Sequence, residues 1–297
     1  MEELRTRQPI SWLDDLDENG VVINPDHELF GRSLAGTTLR LPTASGSTVG
    51  SDRIVNLAVR GRAPKKVVLE RADPITMWGA ILGNIDLEIS GTTPAHVDRG
   101  RLLSLGVDEE IAEYLARAGE LLGTEEFIPA DHVQIAGVSY KTITETGLEL
   151  RRHFASRYRF RARHVTINPA GMDLEDWEAQ GIPPEFAAKQ QEVIELYLRM
   201  GATPTVTCTP YLIGAMPAPF SDAFLSECRW SRSPTPSSPF GRTGSPASLR
   251  SCTRSRGTAR ATVSIDPRTG TRRSRSTSRV PFGGSWITVS SGTVWAS

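Results

Sequence analysis

The chain has 297 residues, of which 38% are hydrophobic and 23% charged, which is typical of a globular protein with about two domains. Its net charge of zero conceals a division, because residues 1–225 hold 22 basic and 32 acidic side chains, whereas residues 226–297 hold 12 arginines, no lysine and two acids. The acidic first part argues against a core that binds nucleic acid.

Three widely spaced cysteines do not form a disulfide framework, and no apolar run approaches the roughly 18 residues of a membrane helix. The first residues lack the apolar stretch of a signal peptide. We therefore expect a cytoplasmic protein with reduced thiols and no membrane partner. The sequence leaves the oligomeric state open.

Short predicted strands and helices alternate in a first domain, residues 1–90. The predicted strands are residues 21–23, 37–41 and 66–69, and the predicted helices are residues 54–63 and 75–82. Asp73-Pro74 marks the start of the second helix, because proline suits the first helical position. This alternation predicts a small α/β domain.

A second domain is predicted over residues 95–222. Its predicted helices are residues 102–122 and 185–200, and its predicted strands are residues 165–167 and 206–208. Pro183-Pro184 and Gly201 mark the start and end of the second of these helices. The alternation again predicts an α/β arrangement.

Residues 223–297 form a tail of a different kind. Ser, Thr, Arg, Pro and Gly make up 52 of the 72 residues from 226 to 297, and there is no helical period. Because so little apolar surface is available for burial, we expect this tail to be disordered.

Residues 44–51, Ala-Ser-Gly-Ser-Thr-Val-Gly-Ser, form a predicted loop between a strand and a helix. Backbone N–H groups at a helix start can hold a phosphate or carboxylate, and Ser47 could present its oxygen as a base or ligand. The loop is neither a Walker loop nor a nucleophile elbow, since it lacks the Gly-Lys and has threonine at its centre. A plain turn is the alternative.

A second polar segment, residues 137–142, reads Gly-Val-Ser-Tyr-Lys-Thr. Ser139, Tyr140 and Lys141 bring a hydroxyl, a phenol and an ammonium together, a set that could bind an oxyanion. The alternative is a helix start capped by Ser139 or Thr142.

The third segment, residues 168–173, follows a predicted strand. Asn168 and Asp173 could orient a substrate there, because α/β proteins bind ligands at the carboxyl ends of strands. The alternative is that Asp173 caps a helix beginning at Leu174.

Cys208 lies between two threonines, just before Pro210. A buried structural cysteine normally lies in an apolar run, so this position suits a thiolate ligand or a reactive sulfur, with an inert thiol as the alternative. The five histidines show no zinc-ligand spacing.

Taken together, these segments resemble the aconitase X family of hydro-lyases. In the first domain the resemblance covers residues 10–12, 24–27, 31–36, 46–51, 63–64 and 73–75, and residues 1–90 look like the small swivelling domain of that family. In the second domain it covers residues 132–133, 137–142, 147–149, 168–173, 186–190 and 207–214. This part looks like the start of the large catalytic α/β domain.

The resemblance implies dehydration of a small hydroxy acid at an iron or iron–sulfur centre held by cysteine thiolates. It makes Ser47 the base that takes a proton from the substrate and Cys208 a metal ligand. Its implied substrate contacts are Gly46, Thr48, Ser139, Tyr140, Lys141, Asn168 and Asp173.

Members of the family act on mevalonate 5-phosphate, within the mevalonate pathway, or on cis-3-hydroxy-L-proline. The loop around Ser47 and residues 137–142 look more like the phosphomevalonate dehydratase branch. In that branch the two domains are usually separate subunits, whereas here they look fused.

The resemblance stops near residues 217–220, and the surroundings of Cys228 and Cys252 match nothing in the family. Arginine without lysine, with abundant Ser, Thr, Pro and Gly, is what a GC-rich gene yields in a shifted frame, and we favour that origin for the tail. The alternative is a genuine basic arm that binds nucleic acid, which would make the chain a non-catalytic binding protein. We expect a truncated catalytic domain with impaired activity.

Overall fold

A computed structural model gives the fold of the protein. It describes residues 2–47, 49–125, 127 and 132–215, together with three short strand segments at 223–224, 288–290 and 293–295. Thr48, Cys228 and Cys252 lie outside the described residues.

The first part of the chain is a parallel sheet with helices on it. Its strands are β1 (Glu3–Arg5), β2 (Ile10–Ser11), β3 (Thr38–Leu41), β4 (Ala44–Ser45), β5 (Lys66–Leu69) and β6 (Asp86–Ile89), and its helices are α1 (Gly50–Val59) and α2 (Pro74–Leu82). Four strands pair in the order β1-β3-β5-β6, all parallel, while β2 and β4 form a separate parallel pair.

Local chemistry explains the position of α2. The Asp73 carboxylate accepts a hydrogen bond from the Thr76 N–H at 2.7 Å, and Pro74 occupies the first helical position. Gly79 lets α2 approach α1, because a Cβ there would lie 2.6 Å from Ile54 Cδ1. Trp78 on α2 and Trp12 are both buried in the core of this part.

The second part is also a parallel sheet flanked by helices. Its elements are α3 (Arg99–Ser104), α4 (Glu109–Leu122), β7 (His132–Ile135), α5 (Tyr140–Arg157), β8 (His164–Ile167), α6 (Pro184–Met200), a 3-10 helix (Pro210–Ile213) and β9 (Ala223–Phe224). The strand order is β8-β7-β9, with His132 in register with His164. The predicted α/β class is confirmed for both parts.

Helix α4 packs against both cores. Ile111 and Leu115 belong to the buried cluster of the second part, whereas Ala118 belongs to that of the first. The Arg117 guanidinium also donates to the Ile85 carbonyl oxygen at 2.7 Å, immediately before β6. The two parts are therefore in extensive contact.

Several predicted elements were wrong in extent. The helix predicted over residues 102–122 is two helices, because Gly106 has a φ of +78° and Asp108 caps a new start. The helix predicted from residue 54 begins at Gly50, and residues 21–23 form only isolated bridges. The strand predicted at 206–208 is absent, since Val206 has a φ of +44°.

The predicted tail, residues 223–297, begins with β9, which pairs with β7. The structure also describes two further short strands in it, β10 (Thr288–Ser290) and β11 (Thr293–Trp295), which pair antiparallel. The predicted disorder concerns the rest of residues 225–297, which lie outside the described residues. Among the helices of the described residues, none is both long and apolar enough to cross a membrane.

Candidate active site

The Ser47 loop leaves β4 and enters α1. Pairing of β2 with β4 brings Gly46 against Ser11, where a Cβ on Gly46 would lie 2.4 Å from the Ser11 hydroxyl oxygen. Gly46 also has a φ of +87°, so two independent constraints favour glycine. Ser47 is half-buried, and its carbonyl oxygen accepts the Gly50 N–H at 3.0 Å, which turns the chain into α1.

An open cleft of about 510 Å³ adjoins this loop. Ser11, Asp14, Asp15 and Gly46 are among the residues that line it. The Ser11 hydroxyl donates to the Asp14 carboxylate at 2.8 Å, so Asp14 holds the Ser11 side chain in place against Gly46. Thr48, which the sequence placed in the substrate site, lies outside the described residues.

The segment around Ser139 starts α5. Ser139 holds the N-cap position, but its side chain makes no capping hydrogen bond, so the predicted cap is confirmed in position only. A Cβ on Gly171 would lie 2.4 Å from the Ser139 hydroxyl oxygen, which brings the loop after β8 directly against this serine. Lys141 is exposed at the same helix end.

Tyr140 contacts both its own helix, α5, and the neighbouring helix, α6. Its phenol donates to Glu145 at 3.0 Å, its ring packs edge-on against Phe186, and the Lys189 ammonium lies 5.3 Å from the ring centre. Tyr140 therefore has a packing role at the α5–α6 contact, apart from the substrate contact that the sequence predicted.

Asn168 and Asp173 lie on the loop after β8. Asn168 is buried, and its N–H donates to the Ile135 carbonyl oxygen at 2.9 Å, which joins the carboxyl ends of β7 and β8. Asp173 is exposed, and hydrogen bonds from the N–H groups of Asp176 and Glu175 lower the pKa of its carboxyl. Bends and turns follow Leu174, so the alternative interpretation, in which Asp173 caps a helix beginning at Leu174, is wrong.

Cys208 is an exposed free thiol near the same strand ends. The preceding residue, Thr207, donates its N–H to the Ile167 carbonyl oxygen at 3.1 Å and accepts from the Gln134 side chain at 2.9 Å. Within the described parts of the chain, no three or more His, Cys, Asp or Glu side chains form a group that could hold a metal ion. This donor set does not fit an iron–sulfur cluster, which is held mainly by several cysteine thiolates.

The two candidate loops meet at Gly137. A Cβ there would lie 2.8 Å from an Arg151 guanidinium nitrogen, 3.4 Å from Asp52 Oδ2 and 3.6 Å from Val49 Cγ1. Val49 is the last residue of the Ser47 loop, which joins β4 to α1, and Gly137 lies two residues before Ser139. Contacts therefore bring the Ser47 loop to the carboxyl ends of β7 and β8, the usual location of ligand sites in α/β folds.

Four buried polar residues near this meeting point were missed from the sequence: Asp52, Asn56, Arg151 and Gln190. The Gln190 side chain accepts the Tyr140 N–H and donates to the Val138 carbonyl oxygen, both at 2.8 Å, which holds the backbone on either side of Ser139. Gln190 carries no local signal that it will be buried, because its two partners are 50 and 52 positions away in the sequence.

His132, at the start of β7, is also buried and polar. Burial, together with nearby His164, lowers the pKa of its imidazole to about 4, so the ring is neutral in the folded protein at pH 7. Its Nε2 lies 3.2 Å from the Thr166 hydroxyl oxygen. The ring lies at the amino end of β7, whereas the candidate loops gather at the carboxyl end, so we assign it no role in the site.

Comparison with known proteins identifies two matching regions. The family model of the aconitase X swivel domain matches residues 2–112, and that of the aconitase X first domain matches residues 99–229. The phosphomevalonate dehydratase small subunit of Pyrococcus horikoshii is 34% identical over 116 residues, which cover 39% of this chain and 86% of that protein.

The phosphomevalonate dehydratase large subunit of Methanosarcina mazei is 41% identical over 121 residues, which cover 41% of this chain and 29% of that protein. The crystal structure of Thermococcus kodakaraensis aconitase X in its holo form is 36% identical, covering 29% of this chain and 66% of that chain, with a TM-score of 0.28. The chain thus spans less than a third of the large subunits that it matches, but most of a small subunit. It belongs to the aconitase X family.

Proposed function

We propose that this chain carries dehydratase machinery that removes water from a small hydroxy acid, with mevalonate 5-phosphate as the substrate. The observation that carries the proposal is the close approach of Val49, at the end of the Ser47 loop, to Gly137, which follows the carboxyl end of β7. The names of the large- and small-subunit relatives, phosphomevalonate dehydratase, support the substrate.

In this proposal Ser47 takes the proton from the carbon beside the departing hydroxyl. A serine hydroxyl is a weak base, so its alkoxide needs stabilisation by positive charge or by N–H dipoles. The start of α1 lies three residues after Ser47 and supplies such dipoles. Lys141 supplies a cation at the start of α5, suited to the substrate's phosphate, while Ser139 and Asn168 orient the substrate.

An iron or iron–sulfur centre stays part of the proposal through the family resemblance alone. Such a centre would polarise the departing hydroxyl. Cys208 would supply one thiolate, and the remaining ligands would have to come from outside the described residues.

We also propose that residues 1–297 turn over slowly or not at all on their own, because Cys208 is a single thiolate among the described residues and a cluster needs several. The exposed thiol of Cys208 supports a reducing, cytoplasmic location.

The frameshifted origin of the tail is tested by sequencing the gene across codons 210–240 and translating all three frames. A family-like continuation in another frame supports it, whereas its absence overturns it.

Binding tests the substrate independently of turnover. We expect calorimetry to detect saturable binding of mevalonate 5-phosphate, weaker binding of mevalonate, and loss of the difference in Lys141→Ala. Lys65→Ala, which removes an exposed lysine before β5, is the control and should bind as the original chain does. Preference for cis-3-hydroxy-L-proline, or salt-sensitive binding of RNA in place of either ligand, would overturn the proposed substrate.

A further inference from the structure

A buried charge cluster joins α1 of the first part to α5 of the second. Asp52 on α1 and Arg151 on α5 form an ion pair in which both side chains are 3% exposed. One guanidinium nitrogen donates to Asp52 Oδ2 at 3.1 Å, and the other forms a short hydrogen bond to Oδ1. The pair joins residues 99 positions apart in the sequence.

Every N–H of the Arg151 guanidinium has an acceptor. Besides the two bonds to Asp52, it donates to the Tyr197 hydroxyl at 2.9 Å and to the carbonyl oxygens of Gly147 at 3.1 Å and Gly137 at 3.5 Å. These five bonds use all five donors that arginine possesses. Burial disfavours the charge, but Asp52 and Tyr197 outweigh that effect and raise the pKa of Arg151. The group therefore remains a cation.

Asn56 extends the contact by one helical turn. It lies four residues after Asp52, so both side chains face α5. Its amide donates to the hydroxyl oxygens of Thr144 and Thr146, each at 3.0 Å. Thr144 has a φ of +60° and a ψ of −171°, a conformation found almost only in glycine, and it kinks α5 just after the first turn.

We propose that Asp52, Asn56 and Arg151 form an interdomain lock that holds the Ser47 loop against residues 137–143. The lock reaches both sides of the candidate site, because Asp52 lies in the first turn of α1 and Arg151 binds the Gly137 carbonyl oxygen. Helix α4 makes a second attachment between the two parts through Ala118 and Arg117. Two separated attachments oppose rotation, so the first part does not swivel freely about α1.

Asp52, Asn56 and Arg151 are positioning residues for the candidate site only if the proposed function holds, whereas the lock itself does not depend on that function. Hydrogen exchange measured by mass spectrometry on the full chain tests the lock without any substrate. Arg151→Lys keeps the charge opposite Asp52 but loses the planar fork that reaches three other acceptors. Glu149→Gln, on the exposed face of the same helix, is the matched control.

We expect Arg151→Lys to speed exchange about tenfold in peptides covering residues 50–56 and 138–146, while β3 and β5 exchange as in the original chain. Uniformly faster exchange that includes β3 and β5 would show a role in global stability alone and overturn the proposal. Unchanged exchange in all peptides would overturn it as well. If Arg151→Lys does not fold, Asn56→Ala carries the same test, with the increase confined to residues 50–56 and 140–146.

A failed lock and a failed function give different results. Altered binding of mevalonate 5-phosphate by Arg151→Lys, with Lys141 intact, follows only if both proposals hold. Faster local exchange in a chain that binds no mevalonate 5-phosphate supports the lock and rejects the function. If Arg151→Lys exchanges as the original chain does and the protein binds mevalonate 5-phosphate, the lock is rejected and the function is supported.

Discussion

Replacing Gln190 by leucine should be among the most damaging polar-to-apolar changes in this protein. Gln190 is fully buried on α6, and its amide satisfies the Tyr140 N–H and the Val138 carbonyl oxygen, each at 2.8 Å. Leucine has a similar volume, so the change removes two hydrogen bonds without opening a large cavity. Both backbone groups then lack partners in a region with little access to water.

The expected cost follows from those two groups. A buried polar group left unsatisfied costs about 1–3 kcal/mol, and the extra apolar burial of leucine offsets roughly 1 kcal/mol. Two such groups together cost about 2–6 kcal/mol, so we expect a net loss of about 1–5 kcal/mol in the free energy of unfolding. With a denaturant slope of about 2 kcal/mol/M, the midpoint of urea denaturation shifts by roughly 0.5–2.5 M.

The chain supplies its own control, because the next residue is also a glutamine. Gln191 is exposed on the same helix, so Gln191→Leu should change the free energy of unfolding by less than about 0.5 kcal/mol. If the two variants unfold at the same urea concentration, the two hydrogen bonds of Gln190 contribute nothing to stability, which contradicts the prediction.

Two further predictions concern the cores of the two parts. The pKa of His132 falls from 6.5 to about 4 on folding, so the unfolded chain binds the proton first, and stability should decline by up to about 3 kcal/mol as the pH falls through that window. Urea titrations from pH 7 to 4 should show that stability declines less in His132→Gln than in the original chain. His96→Gln, which alters an exposed histidine, should lose as much stability as the original chain. Gly79→Ala should destabilise the protein by about 1–3 kcal/mol despite the helix preference of alanine, because its Cβ would lie 2.6 Å from Ile54 Cδ1. Thermal denaturation tests this against Gly100→Ala, whose Cβ would approach only the Asp98 side chain, with Oδ1 at 3.2 Å, and equal melting temperatures would contradict the prediction.

Elements with local start and stop signals could be predicted from the sequence. Strand β5 was predicted with its observed bounds, and α2 and α6 to within a residue at each end, since Asp73-Pro74, Pro183-Pro184 and Gly201 act within their own segments. The break between α3 and α4 also had a local signal in Gly106 and Asp108. The prediction followed the apolar periodicity of residues 102–122 instead and missed the break.

The arrangement of the candidate site could not be predicted in the same way. Ser47, Ser139, Asn168 and Cys208 were predicted from their chemistry and from the resemblance to a family, but the contacts that place their segments join distant residues. Arg151 reads as an ordinary helix surface residue until α1 covers it, and the same holds for Asp52. Burial of such charges depends on a partner 99 positions away, which no local window of sequence contains.

Gly137 shows why family resemblance here argues more strongly for fold than for activity. Its φ is +71°, its missing Cβ makes room for Arg151 and Val49, and its carbonyl oxygen accepts from both Arg151 and Tyr197. Packing alone therefore accounts for a glycine that also stands in the motif over residues 137–142. The same reasoning covers Gly46 and Gly171, each of which lies against a serine. A chain that had lost its chemistry would still need all three glycines in order to fold. Evidence of activity must come from side chains that this packing does not require, which is why Lys141→Ala discriminates between the proposals and a glycine substitution does not.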